Sequence, residues 1–268
     1  MIRAISVIFF LTIFKPLLVN TKVKKKDLRV IYGHDVPTGQ YTYVVMLLQI
    51  YEEFISRSCS ASMISESWAL TAAHCLLDFN TSDTFIWHGD FTKSPLETKK
   101  YSRILEIFMH PGFRTIEYIH PKLFYGDNDV GLVRVQQTVL PNYGRISAMD
   151  RITLIGLPVV YVGGGYTEKQ GDPDLAPLQI GKAVIIKCGD LLRSWSRYYL
   201  CITSKCSNRF HAPYYGDSGG PYIYDDKIVG VISLGYAKPR SIVVWTGMVP
   251  ISLYTDWIQS KVHPTVNG

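Results

Sequence analysis

The chain has 268 residues, of which 47% are hydrophobic and 19% charged, a balance that excludes intrinsic disorder and supplies enough apolar mass for a sizeable core. Its formal net charge of +6 lies at the front: residues 1–29 hold seven basic side chains and one acid, leaving twenty-one of each sign in residues 30–268. A formally neutral body carries no basic footprint, so nucleic acid is not an expected partner.

In chain order, MIRAISVIFFLTIF puts one arginine ahead of an apolar run from Ala4 to Phe14. A spanning helix needs roughly 20 apolar residues. The shorter run predicts a signal peptide over residues 1–20, hence a secreted, extracellular protein with no stable membrane association. A basic stretch follows, from Lys22 to Arg29. Beyond it, short runs rich in Val, Ile and Tyr occur at Tyr43 to Ile50, Thr84 to Phe91, Val130 to Val135, Thr153 to Val162, Ile228 to Gly235 and Ser241 to Val249. Turn residues separate them, including Pro111-Gly112, Gly126-Asp127-Asn128 and Pro141-Asn142-Tyr143-Gly144. Many short strands without long helical patterns predict an all-β barrel or sandwich. The stretch Pro141 to Met149 is the expected join between two halves. Ile251, Tyr254, Ile258 and Val262 recur at helical spacing and predict a C-terminal amphipathic helix. No repeat or low-complexity tract interrupts the chain.

Five cysteines, Cys59, Cys75, Cys188, Cys201 and Cys206, suit an oxidising compartment, and the odd count leaves one unpaired within the chain. Asn80-Thr81-Ser82 is a glycosylation sequon.

The chemistry centres on HAPYYGDSGGPYI, His211 to Ile223, where Ser218 stands among glycines just after Asp217. A hydroxyl is a poor nucleophile at neutral pH, so a catalytic serine needs an imidazole, and the imidazole a carboxylate that fixes its tautomer. GDSGG also fits the G-x-S-x-G elbow of α/β-hydrolases, whose acid and histidine follow the serine. Only His263 follows here, and the parallel βαβ pattern is absent. Upstream, His74 lies in LTAAHC and Asp129 in DNDVGLVRV. Asp127 competes with Asp129, but Asp129 stands at the mouth of the apolar strand. His34, His88, His110, His120, His211 and His263 show no catalytic or metal spacing, and no H-E-x-x-H is present. No cofactor and no metal is expected.

SASMISESWALTAAHC, then DNDVGLVRV, then GDSGGP resemble the three signature blocks of the chymotrypsin-like serine proteases, in that family's order of His74, Asp129 and Ser218. HPGF (His110 to Phe113), Ser233-Leu234-Gly235 and the terminal DWI (Asp256 to Ile258) extend the likeness over about residues 30 to 260. The resemblance implies two packed six-stranded antiparallel β-barrels with the site in their shared cleft. It implies an oxyanion hole from the N–H groups of Gly216 and Ser218. It implies disulfides Cys59–Cys75 and Cys188–Cys201, with Cys206 left over. It also implies a zymogen in which residues 21–29 are a propeptide and 30–268 the peptidase domain. Cutting after Arg29 would free the Val30 ammonium to pair with Asp217.

The chain departs from the family in three places. Tyr32-Gly33 stands where two glycines are usual. The disulfide that normally braces the substrate pocket is missing from both its places, Tyr214 and roughly Ala237. The pocket floor falls on Ala212 and not on an acid. With Pro213, Tyr215, Ser233, Leu234, Gly235 and Thr246 around it, this pocket predicts apolar or aromatic residues before the cut. Expected partners are protein or peptide substrates, an activating protease and protein inhibitors, and the expected state is a monomer. The competing expectation is a secreted homologue that binds or regulates without cutting.

Overall fold

The computed structural model describes residues 33–52, 54–118, 123–165, 175–189, 198–203, 212–237 and 244–264. Arg29, Val30, Cys206 and His211 lie outside them. After β1 (His34–Asp35), the first half contains β2 (Val44–Tyr51), β3 (Phe54–Ser65), β4 (Trp68–Thr71), β5 (Thr84–Trp87), the one-turn helix α1 (Pro95–Thr98), β6 (Tyr101–Met109), β7 (Arg114–Tyr118), β8 (Leu123–Asp127) and β9 (Gly131–Val135). The second half contains β10 (Arg145–Ile146), β11 (Pro158–Gly163), β12 (Gln179–Lys187), β13 (Leu200–Thr203), β14 (Pro221–Tyr224), β15 (Lys227–Ala237) and β16 (Val244–Pro250). A 3₁₀ turn at Ile251–Tyr254 leads into the terminal helix α2 (Thr255–Val262).

Strands β2-β3-β4-β9-β6-β5 form a closed antiparallel barrel. The path β12-β11-β14-β15-β16-β13 closes on itself through the β12–β13 pairing, giving a second six-stranded barrel. The chain is therefore all-β with two barrels and a short C-terminal helix. Strand β1 pairs with β12, and β10 runs parallel to β15, so the expected join between the halves is itself bonded to the second barrel. Closure removes the sheet edges that would otherwise template aggregation. Among the described residues no helix is long and apolar enough to cross a membrane.

Two expected strands are displaced. The run from Thr153 is a turn through Gly156, whose φ is +88°, and the strand begins only at Pro158. The run from Thr84 stops at Trp87, because Gly89 at φ +94° turns the chain before Phe91. The expected helix at Ile251 to Val262 is a 3₁₀ turn followed by α2, with Ile251, Tyr254 and Ile258 buried.

The first core is aliphatic around Trp87, with Met46, Leu47, Leu48, Met63, Leu70, Ile86 and Leu132 fully buried. Its register positions the site. Thr71, the last residue of β4, pairs with Gly131, the first of β9. The chain leaving β4 turns immediately into the 3₁₀ segment that carries His74, and the chain entering β9 carries Asp129 two residues earlier. The pairing thus places both residues at one end of the barrel.

Candidate active site

His74 and Asp129 are held together twice. The His74 Nδ1 lies 2.7 Å from Asp129 Oδ2, and the His74 backbone N–H donates to Oδ1 at 2.7 Å. The imidazole is 29% exposed while the carboxylate is 1% exposed, so one ring edge faces solvent and the other a buried anion. Burial pushes the His74 pKa down, but the charge and hydrogen bond of Asp129 outweigh it and leave the pKa above the usual histidine value. Asp127, the competing acid, ends β8, and the carboxylate that bonds His74 is that of Asp129.

The Cys59–Cys75 disulfide pins the histidine turn to β3, and Cys188–Cys201 joins β13 to the segment after β12. Cys59, His74 and Cys75 offer ligand atoms within 4.8 Å of one another, but the two sulfurs are bonded to each other and are not thiolate ligands.

Ser218 sits in the turn before β14. Strand β3 of the first barrel holds this turn through one residue. Ser60 donates its N–H to the Ser218 carbonyl at 2.7 Å and its hydroxyl to the Gly216 carbonyl at 2.8 Å, and accepts the Gly164 N–H at 2.9 Å. Gly216 has φ +90°. Among the described residues the N–H groups of Gly216 and Ser218 have no acceptor, whereas those of Asp217 and Gly219 donate to Tyr214 and Ile232 carbonyls at 3.0 and 2.7 Å. Two backbone donors beside a serine are thus left for a group outside the protein. No hydrogen bond joins His74 Nε2 to Ser218, and Nε2 lies 3.7 Å from Cys75 Sγ.

Asp217 is fully buried. Its carboxylate accepts the Gly165 and Tyr214 N–H groups at 2.8 Å each. Burial nevertheless lifts its pKa from 3.8 to about 7, against those two bonds and the nearby positive charge of Arg57. Gly163 and Gly165 make room for it: a Cβ on either would fall within 2.2 or 2.6 Å of Asp217 Oδ1.

Of the expected pocket residues, Ala212, Pro213, Ser233 and Thr246 are buried and Tyr215 is 72% exposed. Thr246 pairs with Gly235 across β15 and β16, which fixes the register there. The Thr246 hydroxyl is fully buried without a hydrogen-bond partner among the described residues. Leu234 and Gly235 lie in β15. Tyr214 and Tyr215 meet edge to face at 4.8 Å beside the serine turn. Asp225 and Asp226 form the exposed β14–β15 turn, and Asp226 bears electrostatically on Tyr41 and Tyr43. Asn80 is exposed and accepts the Ser82 N–H.

Two residues near the site, Arg57 and Tyr199, were not anticipated, and a third, Ser233, has a contact that was not. Arg57 is 6% exposed. It donates to the Gly164 and Ala176 carbonyls at 2.7 and 3.0 Å and stacks over Trp87 and Phe91. Ser233, expected only as a substrate contact, donates its hydroxyl to Asp129 Oδ2. The Tyr199 hydroxyl lies 2.8 Å from Ser233 Oγ. Lone polar residues carry no pattern that would single them out. The Gly163-Gly164-Gly165 run was a visible sign that backbone comes close to something there. A cavity of about 570 Å³ between Val36–Thr42, His88–Thr92 and Pro177–Leu178 is lined by none of His74, Asp129 and Ser218.

Comparison with known proteins agrees with the architecture. The trypsin family model matches residues 30–258. The chain is 24% identical over 255 residues to a trypsin of Phaedon cochleariae, covering 88% of this chain and 90% of that one. It is 25% identical over 244 residues to chymotrypsin-2 of Vespa crabro, covering 87% and 99%. It is also 25% identical over 270 residues to the protein masquerade of Drosophila melanogaster, covering 89% of this chain but 23% of that protein. A closed pair of barrels, a histidine and a buried aspartate in contact at one barrel end, and a serine turn with free backbone donors sit on a chain matched over most of its length: it belongs to the trypsin family of serine proteases.

Proposed function

We propose that the protein is a secreted serine endopeptidase in which Ser218 is the nucleophile, His74 the general base and then acid, and Asp129 the orienting carboxylate. The observation that carries this reading is the doubly bonded His74–Asp129 pair, which presents Nε2 as the ring nitrogen left to take a proton. Ser218 Oγ attacks the scissile carbonyl carbon and passes its proton to His74 Nε2. The N–H groups of Gly216 and Ser218, without acceptors of their own, take the negative oxygen of the tetrahedral intermediate. Nε2 then protonates the leaving amine, and water repeats the sequence on the acyl-enzyme.

Secretion through a signal peptide over residues 1–20 and activation by cleavage after Arg29 belong to the same proposal. Asp217 supports the second part, because a buried carboxyl titrating near pH 7 is a poor end state and a good receptor for an ammonium. Preference for apolar or aromatic residues before the cut follows from the buried, uncharged Ala212 and Pro213. A buried substrate ammonium there would meet no counter-ion in those residues.

One observation favours a second reading, a homologue that binds without cutting: His74 Nε2 and Ser218 are not hydrogen-bonded. Peptide substrates varied at the residue before the scissile bond, offered to chain cut after Arg29, separate the two. The protease reading expects turnover that is abolished by Ser218→Ala and highest for Phe, Tyr, Leu or Met. Absence of turnover on every peptide would favour the binding homologue, and dominant preference for Arg or Lys would overturn the pocket assignment.

A further inference from the structure

We propose that Tyr199 is a positioning residue for the catalytic carboxylate, a phenol supplied by the second barrel that fixes which way the hydroxyl of Ser233 points at Asp129. The proposal rests on the reading that Asp129 orients His74.

Tyr199 precedes β13 by one residue and is buried. Its hydroxyl donates to the Gly126 carbonyl at 2.5 Å and lies 2.8 Å from Ser233 Oγ. Ser233 in turn donates to Asp129 Oδ2, the same oxygen that meets His74 Nδ1. Proton counting sets the direction of this chain. An ionised carboxylate only accepts, so the single proton of Ser233 goes to Asp129, and the contact between Ser233 and Tyr199 needs the phenol proton. The phenol therefore shares its proton between Ser233 Oγ and the Gly126 carbonyl. Burial, first, and the charge of Asp129 raise the Tyr199 pKa well above its usual value, so the donor persists across the working range of the enzyme.

The placement gives the contact a purpose. Gly126 and Asp129 belong to the segment that enters β9 of the first barrel, while Tyr199 and Ser233 belong to the second. A rigid aromatic side chain thus sets both the carbonyl three residues before Asp129 and the hydroxyl that meets its carboxylate. The intervening Asn128 is fixed from two further sides: it adopts φ +53°, donates to the Gly112 carbonyl at 2.8 Å and accepts from Tyr254 OH at 3.2 Å. The groups that bear on the His74–Asp129 pair are Tyr199 and Tyr254, on both of which Asp129 and Asp127 act electrostatically, Ser233, which bonds Asp129, and the Cys59–Cys75 bridge beside His74 Nε2. Only the first is altered in the test.

Tyr199→Phe keeps the ring and deletes the donor. Ser233 then becomes a weaker donor to Asp129, the carboxylate keeps more charge for the imidazole, and His74 titrates higher. Two readouts follow, on the whole chain cut after Arg29 and on the same protein with Tyr199→Phe. By NMR, the His74 ring is expected to titrate about half a pH unit higher in the variant. In turnover per active site counted with an organophosphorus probe, kcat is expected to fall about tenfold with KM unchanged, the scale of one hydrogen bond. A His74 midpoint and kcat equal to the parent's, even with a lowered Tm, would mean that Tyr199 is merely structural and would overturn the proposal. If Tyr199→Phe does not fold, Tyr199→Met, which also deletes the donor, is read the same way; an unchanged midpoint overturns the proposal equally. If the parent neither labels nor turns over peptide, the protease reading fails, while the NMR titration still decides whether Tyr199 governs the pair.

Discussion

Raising the pH from 5 to 8 is expected to weaken the uncut chain through one carboxyl. Asp217 is fully buried, and its pKa rises from 3.8 to about 7 on folding. Across that window the unfolded chain has released a proton that the folded chain retains, so folding stability falls as pH rises and levels off above pH 7. At 1.36 kcal/mol per pH unit the whole difference is about 4 kcal/mol, with about 3 kcal/mol of it between pH 5 and pH 8. Asp217→Asn removes the titration. The amide oxygen still accepts one of the two N–H bonds from Gly165 and Tyr214, and the cost of losing the other is the same at both pH values and cancels. Urea unfolding of both proteins at pH 5 and pH 8 should show the parent losing about 3 kcal/mol more than the variant on that rise. Equal pH slopes would refute the argument that this carboxyl is buried and under-compensated. After cleavage at Arg29 the excess slope should shrink, because the proposed Val30 ammonium would hold Asp217 ionised.

Gly219→Ala should be among the most damaging small substitutions. Gly219 has φ +82°, and an added Cβ would lie 2.1 Å from both the Ser60 carbonyl and the Thr71 hydroxyl, so a loss of about 3 kcal/mol is expected; denaturant unfolding that shows under about 1 kcal/mol contradicts the packing. Replacing Cys59 and Cys75 together opens a loop with a sequence separation of 16 and should cost about 3 kcal/mol by the same assay. The acid limb of kcat/KM should have its midpoint above pH 6.5, since His74 must be neutral to accept the serine proton and its pKa is raised; a midpoint at or below pH 6.5 would show that Asp129 does not hold the imidazole as described.

The site was legible in the sequence wherever chemistry demands contiguous residues. Glycines crowd the serine turn and a cysteine stands beside the histidine that leaves β4, so GDSGG and AAHC stand out in a bare string as candidate site segments. What escaped was the wiring between the barrels. Ser60 reaches Gly164 and Gly216 across 104 and 156 residues, Ser233 reaches Asp129 across 104, and Tyr199 reaches Gly126 across 73. Ser60 and Ser233 are single polar residues in strands and Tyr199 stands just before one, and nothing in the sequence pairs any of them with its distant partner. Strand β3 was missed as an element as well. Its small residues Ser60 and Ser62 are buried where the serine turn presses on the barrel, and they break the alternation that marks an ordinary half-exposed strand. Arg57 escaped too, a charged residue that is buried and stacks over Trp87 and Phe91.

Whether Ser218 is a nucleophile activated by His74 and Asp129 is read directly by an organophosphorus probe. The chain cut after Arg29 is treated with the probe, digested and mapped by mass spectrometry, in parallel with Ser218→Ala and His74→Ala. One adduct is expected, on Ser218, absent from the first variant and slowed by orders of magnitude in the second. A cut, folded protein that takes up no probe, or an adduct that persists in Ser218→Ala, would contradict it.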